Sequence, residues 1–272
     1  MRIGVLGCAG RMGRAVMAEV LASPDCALAG GVERPGHAAL GQDLGVLAGG
    51  EPAGRRASDD AAALIAAADV VIEFSGPAAT VEHVRLAAQA GTGHVIGTTG
   101  LSAGEEQAIR EAATRTAILR AANMSLGINL LLGLARQVAR ALPPEAFDAE
   151  IVEIHHRHKV DAPSGTALAL GAAVAHGRGV DLAAVAERGR DGLTGARAAG
   201  AIGFAALRGG DAVGDHTVVF AGAGERLEPT HRASDRRIYA RGALRAAQWL
   251  RGRPPGLYGM AEVLGLVPAA GG

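Results

Sequence analysis

The sequence predicts a two-domain α/β protein, with a doubly wound parallel sheet first and a central α+β domain whose sheet is mainly antiparallel. Three observations carry this. Short apolar runs alternate with helix-periodic stretches through the first 120 residues, as repeated strand–helix units with right-handed crossovers do. After Ala199 three strand-like runs follow one another with only turn residues between them, the habit of antiparallel sheets. The 41 glycines are too many for a helical bundle and suit frequent tight turns.

Taken in order, Ile3–Leu6, Ala27–Val32, Val70–Phe74, Gly93–Ile96 and Ala117–Leu119 read as strands. Several are almost continuously apolar, as strands covered on both faces are. Helical patterns lie between them at Arg14–Ala22, Ala61–Ala67, Thr80–Ala90 and Ala103–Thr114. The last follows Ser102, with Glu105 three positions on, a capping-box signature. The style changes after Asn123. A helix over Leu126–Leu142 stops at Pro143-Pro144, a strand spans Ala149–Ile154, and a helix spans Gly165–His176. The Gly- and Arg-rich stretch 183–198 lacks periodicity and reads as a mobile loop. Strands then follow at Ala199–Leu207, Gly214–Ala221 and Glu225–Thr230. A last helix, Asp235–Leu250, and the tail beyond Pro254-Pro255 are expected to return to the first domain. Residues 1–125 with 235–272 thus form one expected domain, and residues 126–234 the other.

Composition narrows the function. Nearly half the residues are hydrophobic and a fifth charged, ordinary for a globular chain. With seven aromatics, the core must come mostly from Ala, Val, Leu and Ile. Basic and acidic residues balance at 27 each, which argues against nucleic acid or an anionic membrane as partner. Two cysteines, Cys8 and Cys26, imply neither a disulfide framework nor an oxidising compartment. The apolar stretch Leu126–Ala135 is too short and too interrupted to span a bilayer. Met1–Gly7 already reads as a buried strand, so no signal peptide and a cytoplasmic location are expected.

Gly7, Gly10 and Gly13 stand at the first strand-to-helix turn. Dinucleotide sites need small residues there, for the turn, for backbone approach to a pyrophosphate and for helix–strand packing. The following helix N-terminus offers unpaired N–H groups to phosphates. Ala9 departs from the strict G-x-G-x-x-G spacing. Glu33 stands twenty residues beyond Gly13, at the end of the second strand, where a carboxylate meets the adenosine ribose hydroxyls. Arg34 beside it could receive a 2′-phosphate. Glu33 favours NADH and Arg34 favours NADPH, so the pair leaves the choice open; two solvated charges at a loop edge are the bland alternative. Gly97-Thr98-Thr99-Gly100 and Ala121-Ala122-Asn123-Met124 follow later strands at their carboxyl ends, where open α/β sheets bind ligands, although Gly and Thr are also ordinary loop residues. The first domain is therefore expected to be Rossmann-type.

The densest chemistry lies at residues 153–166, Glu-Ile-His-His-Arg-His-Lys-Val-Asp-Ala-Pro-Ser-Gly-Thr. His155, His156 and His158 surround Lys159, the single lysine among 26 arginines. Positions that need only positive charge carry arginine, so a retained lysine points to a releasable proton. The bland alternative is that one lysine had to fall somewhere. Ser164, Gly165 and Thr166 open a helix, with Pro163 near its first turn. That opening could hold a substrate carboxylate while His155 and Lys159 face the reacting atoms, or be an ordinary capped helix. A metal on His156 and His158, with Glu153 or Asp161, is disfavoured by the neighbouring Lys159 and by the lack of a metalloenzyme spacing.

Three segments carry a resemblance: Gly7-Cys8-Ala9-Gly10-Arg11-Met12-Gly13-Arg14, Val95-Ile-Gly-Thr-Thr-Gly100, and above all the run from His155 to Thr166. With them the chain resembles, over essentially its whole length, the 4-hydroxy-tetrahydrodipicolinate (dihydrodipicolinate) reductase family of the diaminopimelate route to lysine. The resemblance implies cofactor contacts, to NADH and/or NADPH, from Gly7, Cys8, Ala9, Gly10, Arg11, Met12, Glu33, Arg34, Gly97, Thr98, Thr99, Ala121, Ala122, Asn123 and Met124. It implies His155 and Lys159 as the proton-transfer pair, with Lys159 the donor, and His156, Gly165 and Thr166 as binders of a small dicarboxylate substrate. It also implies a homotetramer joined through the central sheet, and hinge closure. The chain departs at Gly76-Pro77, where some relatives carry Arg-Pro, which leaves phosphate contacts near the adenosine end open.

Other reductase chemistries fit less well. An acylating dehydrogenase needs a cysteine in its second domain, yet both cysteines lie within the first thirty residues. A Tyr-x-x-x-Lys arrangement fails because Tyr239 and Tyr258 both follow Lys159. A nucleotide-sensing module without turnover would leave the His–Lys segment without a purpose.

Overall fold

The computed structural model describes residues 1–266, so the last six residues of the expected tail lie outside the described residues. The chain divides into two compact units, Met1–Leu126 with the residues from Arg237 onward, and Gly127–Arg236.

The first unit opens with β1 (Arg2–Leu6), α1 (Arg11–Ala22), β2 (Ala27–Val32) and a short α2 (Leu44–Leu47). It continues through α3 (Ala61–Ala67), β3 (Val70–Glu73), α4 (Pro77–Ala90), β4 (Gly93–Ile96), α5 (Ala103–Ala113) and β5 (Ala117–Arg120). The four-residue α2 is absent from the sequence reading, being too short for periodicity; its signal is the Asp43 cap, which accepts from Gly45 N–H at 2.8 Å. The expected capping box of α5 is complete: Ser102 accepts from Glu105 N–H at 3.4 Å, and Glu105 accepts from Ser102 N–H at 2.6 Å.

The second unit holds most of α6 (Leu126–Ala141), then β6 (Asp148–His155), α7 (Gly165–Arg178), α8 (Leu182–Val185) and β7 (Ala186–Glu187). It ends with β8 (Ile202–Arg208), β9 (Gly214–Gly222), β10 (Glu225–Leu227) and β11 (Thr230–Ala233). The chain returns to the first unit with α9 (Arg237–Leu250), β12 (Gly256–Tyr258) and α10 (Met260–Val263).

The first sheet is wholly parallel in the order β12-β5-β4-β3-β1-β2. β1 therefore lies between β2 and β3, and the chain reverses its direction of travel there, the switch point where ligands bind outside the strand ends. Ile3 and Val5 bury one face against Val16, Met17 and Val20 of α1 and Ala240, Ala243 and Ala247 of α9. Leu6 and Val71 bury the other against Leu64 and Ile65 of α3. Both faces are covered, which is why these strands are apolar almost without alternation.

The second sheet runs β10-β9-β6-β8-β7, with β11 also on β9. Three pairings among the described strands are antiparallel, β6–β9, β10–β9 and β11–β9. β8 adds parallel pairings to β6 and β7, so the mainly antiparallel sheet is mixed. Two expectations are corrected. Glu225–Thr230 is not one strand: Pro229, which lacks an N–H, splits it into β10 and β11 on the same edge of β9. The stretch 183–198 is not all loop, because Asp181 caps α8 and Ala186–Glu187 pairs with β8. Ala149, Ile151, Val218 and Phe220 face Leu131 of α6 and Leu170 and Val174 of α7, forming this unit's core.

Candidate active site

Gly7 takes φ +77°, and a Cβ there would lie 2.5 Å from the Phe74 carbonyl, so only glycine can make this turn. A Cβ at Gly13 would overlap the Gly7 carbonyl, which fixes how closely α1 approaches β1. Gly10 caps α1 without a side-chain hydrogen bond, leaving the first-turn N–H groups to an external acceptor. Glu33 reaches back to this loop, accepting from Ala9 N–H at 3.2 Å and from Arg34 N–H at 3.1 Å. A carboxylate has about four lone-pair sites, so ribose hydroxyls can still be served. The Arg34 guanidinium is exposed and makes no hydrogen bond or ion pair among the described residues. Arg14 holds the Ala9 carbonyl at 2.9 Å, while Arg11 and Met12 begin α1 at the loop's rim. These residues fit a dinucleotide.

Cys8 is fully buried against Gly31. Burial first, and Glu33 nearby, push its thiol up to about 11, so any ligand contact there falls to its backbone. Thr98 is buried, and Gly97 lies so close under the Phe74 ring that a Cβ would overlap it. Ala121 and Met124 are buried and Ala122 is exposed, while Asn123 accepts from Ser125 N–H at 2.9 Å. All four loops stand at the carboxyl ends of β1, β2, β4 and β5.

In the second unit, one buried carboxylate organises the chemistry. Glu153 lies on the inward face of β6 after Ala149 and Ile151, as the two-residue period requires. It accepts from His155 Nδ1 at 2.5 Å, from Arg208 at 2.8 and 2.9 Å, and from Ser164 N–H at 3.1 Å. Burial alone would raise its pKa; the hydrogen bonds from Arg208, His155 and Ser164 more than reverse that and hold it below the usual range. An ionised Glu153 only accepts, so His155 carries a proton on Nδ1 and presents Nε2 outward. A Cβ at Gly214 would lie 2.9 Å from that Nε2; glycine keeps the nitrogen clear.

The same carboxylate supports the opening of α7. Ser164 caps the helix, accepting from Ala167 N–H at 3.1 Å, and its hydroxyl lies 3.2 Å from His216 Nε2. Pro163 stands one residue before the cap rather than inside the first turn, joined to Ala162 by a cis bond. Gly165 has open space where a Cβ would be, and Thr166 follows it. His216, edge-on to His155 with ring centroids 5.1 Å apart, is pushed down to about 4, by burial first and by His155 next.

Lys159 sits in a turn closed by its own N–H on the His156 carbonyl at 3.1 Å, and its ammonium pairs with Asp161 at 2.7 Å. Backbone bonds from His156 and Arg157 to the carbonyls of Ala212 and Gly210 pin this turn. Arg208 also holds the Asp161 carbonyl at 2.6 Å. Arg236 lies 3.1 Å from His156 Nε2, and arginine can only donate. The His156 proton is therefore on Nδ1, which is buried with no partner among the described residues, a donor suited to a carboxylate. His158 is exposed. No three His, Cys, Asp or Glu side chains among the described residues are arranged to hold a metal ion.

The sequence reading named Glu153 only as a disfavoured metal ligand and omitted Arg208 and His216 altogether. The signal for Glu153 and His216 was their inward register on β6 and β9. Arg208 joins only through the pairing of β6 with β8, which sets it opposite His155.

A glycine turn at the switch point that fits a dinucleotide in one unit, and a carboxylate-oriented histidine with a lysine in the other, are features suited to an oxidoreductase that uses a nicotinamide cofactor. Family models described as dihydrodipicolinate reductase, N-terminus, and dihydrodipicolinate reductase, C-terminus, match residues 1–124 and 127–264. The chain belongs to the dihydrodipicolinate reductase family. It is 57% identical over 267 residues to 4-hydroxy-tetrahydrodipicolinate reductase of Parvibaculum lavamentivorans, covering 98% of each chain. It is 55% identical over 266 residues to the protein of that name from Rhodopseudomonas palustris strain BisB18, again covering 98% of each. The structure resembles a dipicolinate-bound dihydrodipicolinate reductase from Paenisporosarcina sp. TG-14 with a TM-score of 0.77 at 25% identity, over 96% of this chain and 98% of that one. No described helix is long and apolar enough to cross a membrane.

Proposed function

We propose that the chain reduces 4-hydroxy-tetrahydrodipicolinate to tetrahydrodipicolinate, with loss of water, in lysine and diaminopimelate biosynthesis. The observation that carries this is Glu153, whose carboxylate holds His155 and the opening of α7 at once. Met1–Leu126 with the residues from Arg237 onward serve as the dinucleotide-binding domain, and Gly127–Arg236 as the domain that binds substrate and joins a cytoplasmic homotetramer. Cofactor contacts come from Gly7–Met12, Glu33, Arg34, Gly97–Thr99 and Ala121–Met124. A bound nicotinamide supplies hydride to an electron-poor ring carbon. Lys159 gives the proton that completes the product, with His155 its proton-transfer partner. His156 Nδ1, the N–H groups opening α7 at Gly165, and Thr166 hold the carboxylates of a small dicarboxylate substrate. Steady-state oxidation of NADH or NADPH by the purified protein tests this: turnover should require 4-hydroxy-tetrahydrodipicolinate, and its absence with both cofactors would reject the reading.

Both cofactors should serve, with a modest preference, because Glu33 and Arg34 pull oppositely. Arg34→Ala should weaken NADPH by roughly tenfold or more, the worth of one charged hydrogen bond, and NADH little. Equal weakening of both in a binding titration would sink the assignment.

Pyridine-2,6-dicarboxylate should compete with substrate. Thr166→Val should raise its inhibition constant while NADH affinity stays constant; an unchanged inhibition constant would place the carboxylate elsewhere.

A further inference from the structure

A second buried carboxylate, Glu73 in the first unit, takes no part in the proton transfer above. It ends β3 with no exposed surface. Its Oε1 accepts from the Ser75 hydroxyl, from Thr80 at 3.1 Å and from His83 Nδ1 at 2.7 Å. His94 of β4, also fully buried, places Nε2 2.9 Å from Oε2. Burial would raise the Glu73 pKa, and the two histidines more than reverse it, so it stays ionised. Apolar side chains of similar volume usually stabilise an interior at least as well as such a charged cluster, so stability alone does not explain it.

The cluster has an outlet. Thr80 Oγ1 lies 3.1 Å from Thr98 Oγ1. Thr80 Oγ1 donates toward Thr98 Oγ1 at 3.1 Å, toward Glu73 Oε1 at 3.1 Å and toward the Gly76 carbonyl at 3.2 Å, so its one proton is shared among three acceptors and ties Thr98 to the Glu73 cluster. Thr98 is thereby turned inward and fixed, with Gly97 held under the Phe74 ring.

In the strand order, Glu33 marks the adenosine side at β2 and the glycine loop marks the pyrophosphate at β1. The other half of the dinucleotide must run over the ends of β3 and β4. Glu73 ties together the segments that leave those two ends.

We propose that Glu73 is a positioning residue for the nicotinamide half of the cofactor, acting through Thr80 to hold Thr98 and the segment Gly97–Thr99 in place. The proposal rests on the reading of Gly97–Thr99 as a cofactor contact.

Calorimetric titration of the full chain with NADH and with ADP-ribose, which lacks the nicotinamide, tests it. Thr80→Val removes the linking hydroxyl and keeps the side-chain shape and the Glu73–histidine contacts. It should weaken NADH by about tenfold, the value of one or two hydrogen bonds, and leave ADP-ribose within twofold. Thr80→Ser should restore NADH binding. Glu73→Gln should show the same selectivity with a larger loss and a lower melting temperature; if it does not fold, Thr80→Val decides. Equal loss of both ligands, or unchanged NADH affinity in Thr80→Val, would overturn the proposal. A wild-type protein that binds ADP-ribose but gains nothing from the nicotinamide would overturn it too. Wild-type binding of neither ligand would instead reject the cofactor reading beneath it.

Discussion

Lys159→Arg should lower kcat by about 10²–10⁴-fold, the usual worth of general acid catalysis. The guanidinium can keep the ion pair that Lys159 makes with Asp161 at 2.7 Å, so charge is conserved. The releasable proton is not, because arginine holds its proton at any working pH. KM should change less than kcat, since His156 and the α7 opening still hold the substrate. NADH affinity and the thermal melt should match wild type, which separates the defect from misfolding. Near-normal turnover in a folded Lys159→Arg protein would make the lysine an electrostatic anchor and remove it from the proton transfer.

Glu153→Gln should be the other severe variant, with two separable consequences. Four donors converge on the carboxylate, and an amide oxygen can satisfy only some of them while its NH₂ opposes the rest. Breaking a buried ion pair costs about 3–5 kcal/mol; the lower end applies, because Arg208 is 21% exposed. The His155 tautomer is also released, so kcat should fall by about 10²-fold or more at temperatures where the variant is folded. The sign with pH is fixed by the lowered Glu153 pKa. Its stabilisation is present above the unfolded-state value and is lost as pH falls through the folded one. Melts taken toward acid should therefore bring wild type and Glu153→Gln together. A lower melting temperature with kcat unchanged would leave Glu153 a structural residue only.

Legibility in the sequence followed burial. β1 to β5 were readable because strands covered on both faces cannot alternate, and α5 because Ser102 and Glu105 mark its start. α8 and β7 were hidden by their brevity, and the break at Pro229 was legible only by giving weight to a proline that cannot donate to a ladder. The candidate catalytic segment stood out because histidines and the single lysine crowd it. The groups that orient those residues did not. Glu153 and His216 look like ordinary strand residues until the two-residue period is followed from Ala149 and from Val218. The pairing of His155 with Arg208 joins residues 53 positions apart, which only the register of the folded sheet reveals. Glu73, His83 and His94 lie on three elements and no local pattern links them.

The insertion of the second unit between Leu126 and Arg237 also sets an order of events on the ribosome. β12 pairs with β5, Gly256 beside Ala117, and α9 supplies Ala240, Ala243 and Ala247 to the core begun by Ile3 and Val5. Until those late residues emerge, the face of the nascent parallel sheet that Ile3 and Val5 present has only α1 on it and its remainder stays uncovered, and β5 remains an open edge of the kind that recruits stray strands. The inserted unit has all its strands in hand earlier and can close first, since domains generally fold as units during synthesis. Its closure shortens the effective loop between β5 and β12 and lowers the entropy of joining them. The part of the chain translated first is thus the part completed last, and a truncation after Arg236 should aggregate through that uncovered sheet while the inserted unit stays folded.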